Sequence, residues 1–425
     1  MCEEFLHYIW QHKLYLPDKL ITTQEETIEV IHPGHLNTDA GPDFFNAKIR
    51  INNTLWAGNV EIHLSEDDWQ NHQHHINPAY DNVILHVVYA LGSGTLNSKG
   101  NSVPVYQIQF RPQIIARYNK LIQNKGWIAC QSAISKVDPF ILDQWLERLL
   151  IEKLEEKSEL IKQLSQAHHN DWDQVFFVLL ARSFGFGTNG QPFEMMARQT
   201  PLKALLKHAD NIFQLEAILY GQSGFLNQEK VSDEYFIRLL KEYSFLASKY
   251  KLKAINQRQW KFLRLRPSNF PTIRISQLAN LIHNTKGQFA EMLDLDKPMH
   301  FEKKLITASE YWNTHYKFGK ASKNNETKHV GSSSKKRILY NTILPYQFVY
   351  ASYHQQDKVK EKIIDLFHTL PAENNRLLSN WKETGIKVDH EAHAQSLIFL
   401  KNHYCNHKKC LNCHIGHKVL SKSEE

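Results

Sequence analysis

The apolar residues of this chain change their spacing part-way along, and that change restricts the fold more than any other feature. Through the first 110 or so residues they recur at every second position; from about Asp138 onward they recur at three and four. Residues 47–51 and 58–64 alternate strictly, whereas residues 82–89 are nearly all apolar, as in a strand covered on both faces. Residues 103–109 are a fourth candidate strand. Asn52-Asn53, with Thr54, supplies a hairpin turn between the first two runs. Ahead of them, residues 3–13 place Phe5, Ile9 and Trp10 at helical spacing, and residues 37–45 are rich in Asn, Asp, Gly and Pro, which is loop chemistry. Ser65-Glu66-Asp67-Asp68-Trp69 reads as a capped helix start with acids in its first turn. The pattern predicts an α/β domain with a mixed sheet over residues 1–125.

The remainder, residues 126–425, reads as a larger all-α domain. A long helix is predicted over 140–166, with others over 171–182, 192–200, 211–219, 233–249, 275–283, 357–370 and 390–403. The stretch near 318–337 contains KNNETKHVGSSSKKR and is expected to be a mobile basic linker. No internal repeat is visible.

Charge and composition exclude some classes. Lys plus Arg number 51 against 44 acids, a net +7, which permits a nucleic-acid partner such as DNA or RNA without requiring one. No apolar run approaches the ~18 residues of a membrane span, and the N-terminus MCEEFLHYIW lacks the parts of a secretory signal. A cytoplasmic protein with no membrane partner is expected.

The densest chemistry lies between Asn37 and His86. In the run 58–64 the period of two puts Glu61 and His63 on one face and Val60 and Ile62 on the other. Asp43 precedes the neighbouring run. If the two strands pair, both carboxylates and the Ile62 carbonyl can hold Mg²⁺ or Mn²⁺, the means by which phosphodiesters are hydrolysed. Asn37, Asp39, His72, His74 and His86 form a surrounding polar set. An exposed acid at such a position is often only solvated. His86, inside an apolar run, needs a partner, either a core hydrogen bond or the Asp43/Glu61 site. The spacing of His72 and His74 keeps them off a common helix face, so a loop is expected to carry them.

Pro42-Asp43, seventeen residues, then Glu61-x-His63 resembles the PD-(D/E)xK nuclease signature. The order helix, acidic loop, strand, strand, helix, strand is similar to that family's core. The resemblance implies a restriction-endonuclease-like fold, with Asp43 and Glu61 as metal ligands and His63 orienting water in the position where the family usually has Lys. The imidazole lacks the fixed charge of Lys, so a non-catalytic nucleic-acid- or protein-binding platform is the alternative. End to end, the stretches NTDAGPDFFNAKI, LWAGNVEIHL, DDWQNHQHH, YDNVILHVVY, FGFGTNGQPFE, RLRPSNFPTIRISQLA and CLNCHIG identify the chain as a member of a bacterial family known as domain of unknown function 2851.

Five cysteines in a chain this long make no disulfide framework. Cys405-x4-Cys410-x2-Cys413 places three thiols within nine residues, a spacing compatible with structural zinc or an iron–sulfur cluster. Cys130 is the distant candidate for a fourth ligand; His407, His414 and His417 are local ones. Some PD-(D/E)xK nucleases carry an iron–sulfur staple split in a similar way.

Arg264, Arg266 and Arg274 bracket Asn269-Phe270-Pro271 and are candidates for nucleic-acid phosphates, with Trp260 or Phe270 to stack on a base; a surface turn is the plainer reading. The glycine-rich run 184–190 follows a helix and not a strand, which predicts a tight helix–helix connection and no phosphate loop.

Overall fold

Asn52, at φ +50°, and Asn53 form the two-residue turn that the Asn-Asn pair predicts, and Ile51 pairs with Thr54 directly after it. The computed structural model describes residues 1–227, 232–289, 292–297 and 300–421. Contacts divide the chain into two units. One comprises Met1–Trp145 with Thr384–Ile386 and Phe399–Glu425; the other comprises Leu146–Glu383 with Lys387–Ile398.

The first unit opens with helix α1 (Glu3–Gln11). Six strands follow, with short helix α2 (Asp68–Asn71) after the fourth: β1 (Ile28–His32), β2 (His35–Leu36), β3 (Phe44–Ile51), β4 (Thr54–Ser65), β5 (Val83–Ala90) and β6 (Val105–Gln107). They form one mixed sheet in the order β1-β3-β4-β5-β6, with β2 on the edge of β3. β1, β3 and β4 are antiparallel neighbours, whereas β4, β5 and β6 run parallel. Helix α3 (Pro112–Gln123) follows the sheet.

The parallel half is buried on both faces, which is why β5 reads as a continuous apolar run. Phe5, Leu6, Ile9 and Trp10 of α1 share a core with Val60, Ile62, Leu85 and Val87. Each such fully buried side chain is worth roughly 1.5–3 kcal/mol. Gly58 is required by a close approach: a Cβ there would lie 2.4 Å from Ile84 Cγ2 and 2.7 Å from the Asn82 carbonyl.

The C-terminal segment joins this unit, although the sequence pattern placed it in the helical domain. Its last helix, His414–Ser421, carries the fully buried Leu420 into the same core, and Tyr8 Oη lies 2.9 Å from His417 Nδ1.

The second unit is helical. Asp171, Asn211 and Asp233 cap helices Trp172–Phe184, Ile212–Gln222 and Glu234–Tyr250 by accepting backbone N–H groups in the first turn. Gly185 alone separates Trp172–Phe184 from Phe186–Arg198, the expected tight connection; a Cβ on it would lie 2.2 Å from the Asn189 carbonyl oxygen.

The basic stretch near 318–337 is more structured than its composition predicts. His315–Lys317 pairs with Lys320–Ala321, and Ser332–Ile338 is helical. Lys328 is buried and donates to the carbonyls of Trp312 and Asn313. Backbone bonds to Ile306 and Ala308 hold the segment in place, a source of order that low-complexity composition conceals. Among the described residues, no helix is long and apolar enough to cross a membrane.

Candidate functional site

A bulge brings the two carboxylates together. The β3–β4 register shifts between Phe44 and Ala47, where Asn46 takes φ +57°, and Phe44 then sits opposite Val60. Asp43, one residue earlier, therefore lies beside Glu61. The Asp43 N–H donates to Glu61 Oε2 at 3.1 Å, and the Ile62 N–H donates to Asp43 Oδ2 at 2.9 Å.

Asn37 builds the loop that presents Asp43. Its backbone N–H donates to the Asp43 carbonyl at 2.7 Å, and its side-chain amide donates to the carbonyls of Asp39 at 3.0 Å and Pro42 at 3.1 Å. Asp39 is exposed and serves the turn through its backbone, donating to Asn37 Oδ1 at 2.9 Å.

Imidazoles surround Glu61 Oε1. His74 Nε2 is 3.2 Å away and His63 Nε2 is 3.4 Å away. His63, His72 and His74 each offer a ring nitrogen, and all three nitrogens lie within 4.8 Å of one another. Gln73, at φ +63°, reverses the backbone between His72 at the end of α2 and the turn His74–Ile76. That reversal brings two residues of unfavourable helical spacing to one place. The His74 ring stacks on Tyr80 at 3.7 Å.

Two further residues come from α1 and were not anticipated. His7 Nε2 lies 3.2 Å from Asp43 Oδ2, and Glu3 stands one turn earlier on the same helix face. The acid–x3–His spacing in the first ten residues was the available signal.

Behind the site runs a buried chain of hydrogen bonds. His63 Nδ1 meets His86 Nε2 at 2.9 Å, and His86 Nδ1 meets Thr95 Oγ1 at 2.8 Å. The Thr95 hydroxyl donates to Glu66 Oε1 at 3.4 Å, and Glu66 Oε2 accepts the Gly92 N–H at 2.8 Å. A carboxylate oxygen only accepts, so the polarity of the chain follows from its far end. Thr95 gives its proton to Glu66 and accepts from His86 Nδ1. His86 then accepts at Nε2 from His63 Nδ1. His63 is left with a bare Nε2 pointing at the Glu61 side, the tautomer a metal ligand needs. His86 thus has a core hydrogen bond and a contact with the site at once.

Burial sets the electrostatics. It pushes the Glu61 carboxyl well above the usual range, and the adjacent Asp43 pushes it further. Glu3 is raised by burial and then by Asp43. His63 and His86 are pushed down to about 3, first by burial and then by neighbouring imidazoles. Burial is the largest influence on His7 and lowers it, but the bond to Asp43 together with the charges of Asp43, Glu3 and Glu61 outweighs it, and the net shift is upward. The carboxyls of Glu3, Asp43 and Glu61 crowd together, with His7 the imidazole they draw toward its charged form. Mixed carboxylate and imidazole donors suit a borderline divalent cation such as Mn²⁺ or Zn²⁺ better than Mg²⁺, which prefers oxygen ligands and retained water.

The four thiols also converge. Cys130, Cys405, Cys410 and Cys413 line one small recess with Ala129, Tyr404, Lys409 and Gly416. Burial raises all four thiols, Cys410 to about 11 and Cys130 to about 12, so none is primed as a free nucleophile. A Cβ on Gly416 would lie 2.0 Å from the Cys410 carbonyl oxygen, which explains the glycine in CLNCHIG. Of the candidates for a fourth ligand, Cys130 lines the recess; His417 bonds Tyr8, and the His414 ring stacks on Trp145 at 5.0 Å. His407 does not line it.

The three arginines are not brought together on a surface. Arg264 and Arg266 are exposed, but Arg274 is buried, donating to Gln277 Oε1 at 3.0 Å and Asn269 Oδ1 at 2.6 Å. Trp260 is also buried and donates to the Ser223 carbonyl at 2.8 Å. The helix Pro271–Thr285 begins at Pro271, which suits a first helical position, and so draws Arg274 inward where a surface turn was the plainer expectation.

A family model described as a protein of unknown function (DUF2851) matches residues 3–376. Nothing matches among curated proteins or solved structures.

Proposed function

We propose, for a chain that belongs to the DUF2851 family of unknown function, that the first unit is a metal-dependent phosphodiesterase acting on nucleic acid. The observation that carries the reading is the convergence of Asp43 with Glu61, whose Oε1 faces two imidazole Nε2 atoms at 3.2 and 3.4 Å. The antiparallel β1–β3–β4 meander, the following helix and the parallel β5 support a restriction-endonuclease-like core. The net charge of +7 is compatible with a nucleic-acid substrate.

Asp43, Glu61, His63, His72 and His74 are the residues that would hold the cation. Bound there, it supplies charge relief to a phosphate and acidifies a bound water. The chain's own groups do the rest. The Ile62 N–H and His7 fix the Asp43 carboxylate, the Asp43 N–H fixes Glu61, and the chain through His86, Thr95 and Glu66 keeps His63 in one tautomer. On this reading His63 acts as a ligand, in place of the water-orienting role that the resemblance implies for its position. His7, half-buried beside Asp43, is the group placed to exchange a proton with water at the site. The four thiols are proposed to hold structural zinc or an iron–sulfur cluster, a donor set that fits either.

The second reading is a binding platform without turnover. It is favoured by the depth of Glu61 and His63, only 4% and 2% exposed. The test is cleavage of single- and double-stranded DNA and RNA with Mn²⁺, Zn²⁺ and Mg²⁺. Asp43→Ala and Glu61→Ala each abolish cleavage if the first reading holds. Protein that is inert on all four substrates but binds them with steep salt dependence establishes the second.

A further inference from the structure

The helical unit contains a cavity of about 1090 Å³ that the carboxylate site does not use. Six basic side chains line it: Lys157, Arg182, Arg198, Lys336, Arg337 and Arg376. The carboxylates on its wall are Glu194 and Glu373. Glu194 is shared between Arg182 and Arg198, so even the paired cations outnumber their partner. Among the described residues, Lys336 has only a long ion-pair contact, 3.7 Å, to Glu302.

Lys157 is the most telling of the six. It makes no hydrogen bond or ion pair among the described residues, and burial followed by the nearby Arg182 depresses its pKa. A half-buried cation beside another cation costs free energy, which the neighbouring Glu156 offsets only in part, since the net shift remains downward. An anion in the cavity would offset it. One wall is also strained. Phe186 sits at φ +47°, a left-handed conformation that is unfavourable for an aromatic residue, and the Arg337 guanidinium lies 5.4 Å from its ring centre. Strain of this kind accumulates at sites shaped for a ligand. Leu160, Leu179 and Leu377 give the cavity an apolar side as well.

We propose that this cavity binds an organic polyphosphate of nucleotide size. Lys157, Arg182, Lys336 and Arg337 meet its phosphates and the leucines take its apolar part. The volume is that of a small-molecule site, whereas a polymer backbone needs an extended groove with charges spaced along it. The site is independent of the carboxylate cluster, so either assignment survives failure of the other.

The experiment is titration calorimetry on the full chain with ATP, GTP, inorganic tripolyphosphate, adenosine and a ten-residue oligothymidylate. ATP or GTP binds saturably and adenosine does not. Lys157→Gln weakens nucleotide binding at least tenfold, and adding Arg337→Gln weakens it further. Lys157→Arg keeps the charge and retains binding, and Lys358→Gln, at an exposed position elsewhere, changes nothing. Unfolding curves confirm that each variant is folded. Tripolyphosphate binding as tightly as ATP removes the apolar half of the proposal. No binding of any phosphate probe at millimolar concentration, affinity unchanged in Lys157→Gln, or oligothymidylate preferred over mononucleotide overturns it.

Discussion

Thr95→Val changes one atom far from any phosphate and tests the logic of the site. Thr95 is buried, and its hydroxyl joins His86 Nδ1 to Glu66 Oε1. Without it, the His86 Nδ1 proton has no acceptor, a deficit of about 1–3 kcal/mol. The ring escapes by moving that proton to Nε2. The proton then faces His63 Nδ1 at 2.9 Å, so His63 must accept there and carry its own proton on Nε2. That proton points at Glu61 Oε1, 3.4 Å away. The metal-free site tolerates this well, because an N–H now meets a carboxylate oxygen. The metal-binding site does not, because a lone pair has become a donor. Loss of an outer hydrogen-bond partner of a ligating histidine typically weakens metal binding 10–100-fold, or about 1.4–2.8 kcal/mol. Mn²⁺ and Zn²⁺ titration calorimetry reads the affinity, and ¹⁵N spectra of the imidazoles read the tautomers. Thr95→Ser keeps the hydroxyl and retains wild-type affinity. If Thr95→Val binds metal within twofold of wild type while Glu61→Gln does not bind, the tautomer argument is wrong and the chain behind His63 is only packing.

Glu61→Gln and His74→Ala remove metal-dependent thermal stabilisation, which in the wild type amounts to about 2.7 kcal/mol when the cation is at 100 times its dissociation constant; an equal melting shift in Glu61→Gln takes Glu61 out of the site. His63 and His86 contribute stability that rises with pH between about 3 and 6.5, because the unfolded chain protonates them there and the native state does not. Each imidazole contributes up to about 1.4 kcal/mol per pH unit, while Glu61, with its raised pKa, works in the opposite direction above 4.5 and offsets one of the two. Imidazole NMR titration from pH 4.5 to 7.5 reads the two rings directly, and protonation of either one within that range refutes the neutral-histidine assignment. Purified protein carries near-stoichiometric zinc, or iron with visible absorbance, and Cys130→Ser lowers that content; elemental analysis showing neither metal leaves the thiols unligated. Gly58→Ala drives a methyl into Ile84 and costs about 1–3 kcal/mol, measurable as a lower urea midpoint, and a loss under 0.5 kcal/mol contradicts the close approach described.

What was legible in the sequence was what depends on local periodicity. The alternation at 58–64 put Glu61 and His63 on one face, Asn52-Asn53 announced the hairpin, and acids or asparagines capped the helices they precede. What was not legible depends on registers and distant partners. The bulge at Asn46 decides whether Asp43 reaches Glu61, yet it leaves no mark beyond one asparagine. The alternation did not single out β1 and β2, because β2 is two residues long and Gly34 interrupts the pattern between them. His7 lies 36 positions before Asp43 and Thr95 lies 29 after Glu66, so no spacing rule links them. Arg274 looked like a surface arginine because prolines flank it, but one of those prolines starts the helix that buries it.

The segment from Phe399 to Ser421 completes the N-terminal unit, and this has a consequence for synthesis. On a ribosome the sheet emerges first, but the recess around Cys130 lacks its other three cysteines until the helical unit Leu146–Ile398 has been made. At 5–20 residues per second that interval is on the order of tens of seconds. During it the apolar surface that Leu420 later covers is open to chaperones and to other nascent chains. Order of translation, and not only the final contacts, therefore bears on how much folded protein a cell obtains. A chain stopped before Phe399 leaves its first-made unit unfinished, whatever the state of the helices that follow it.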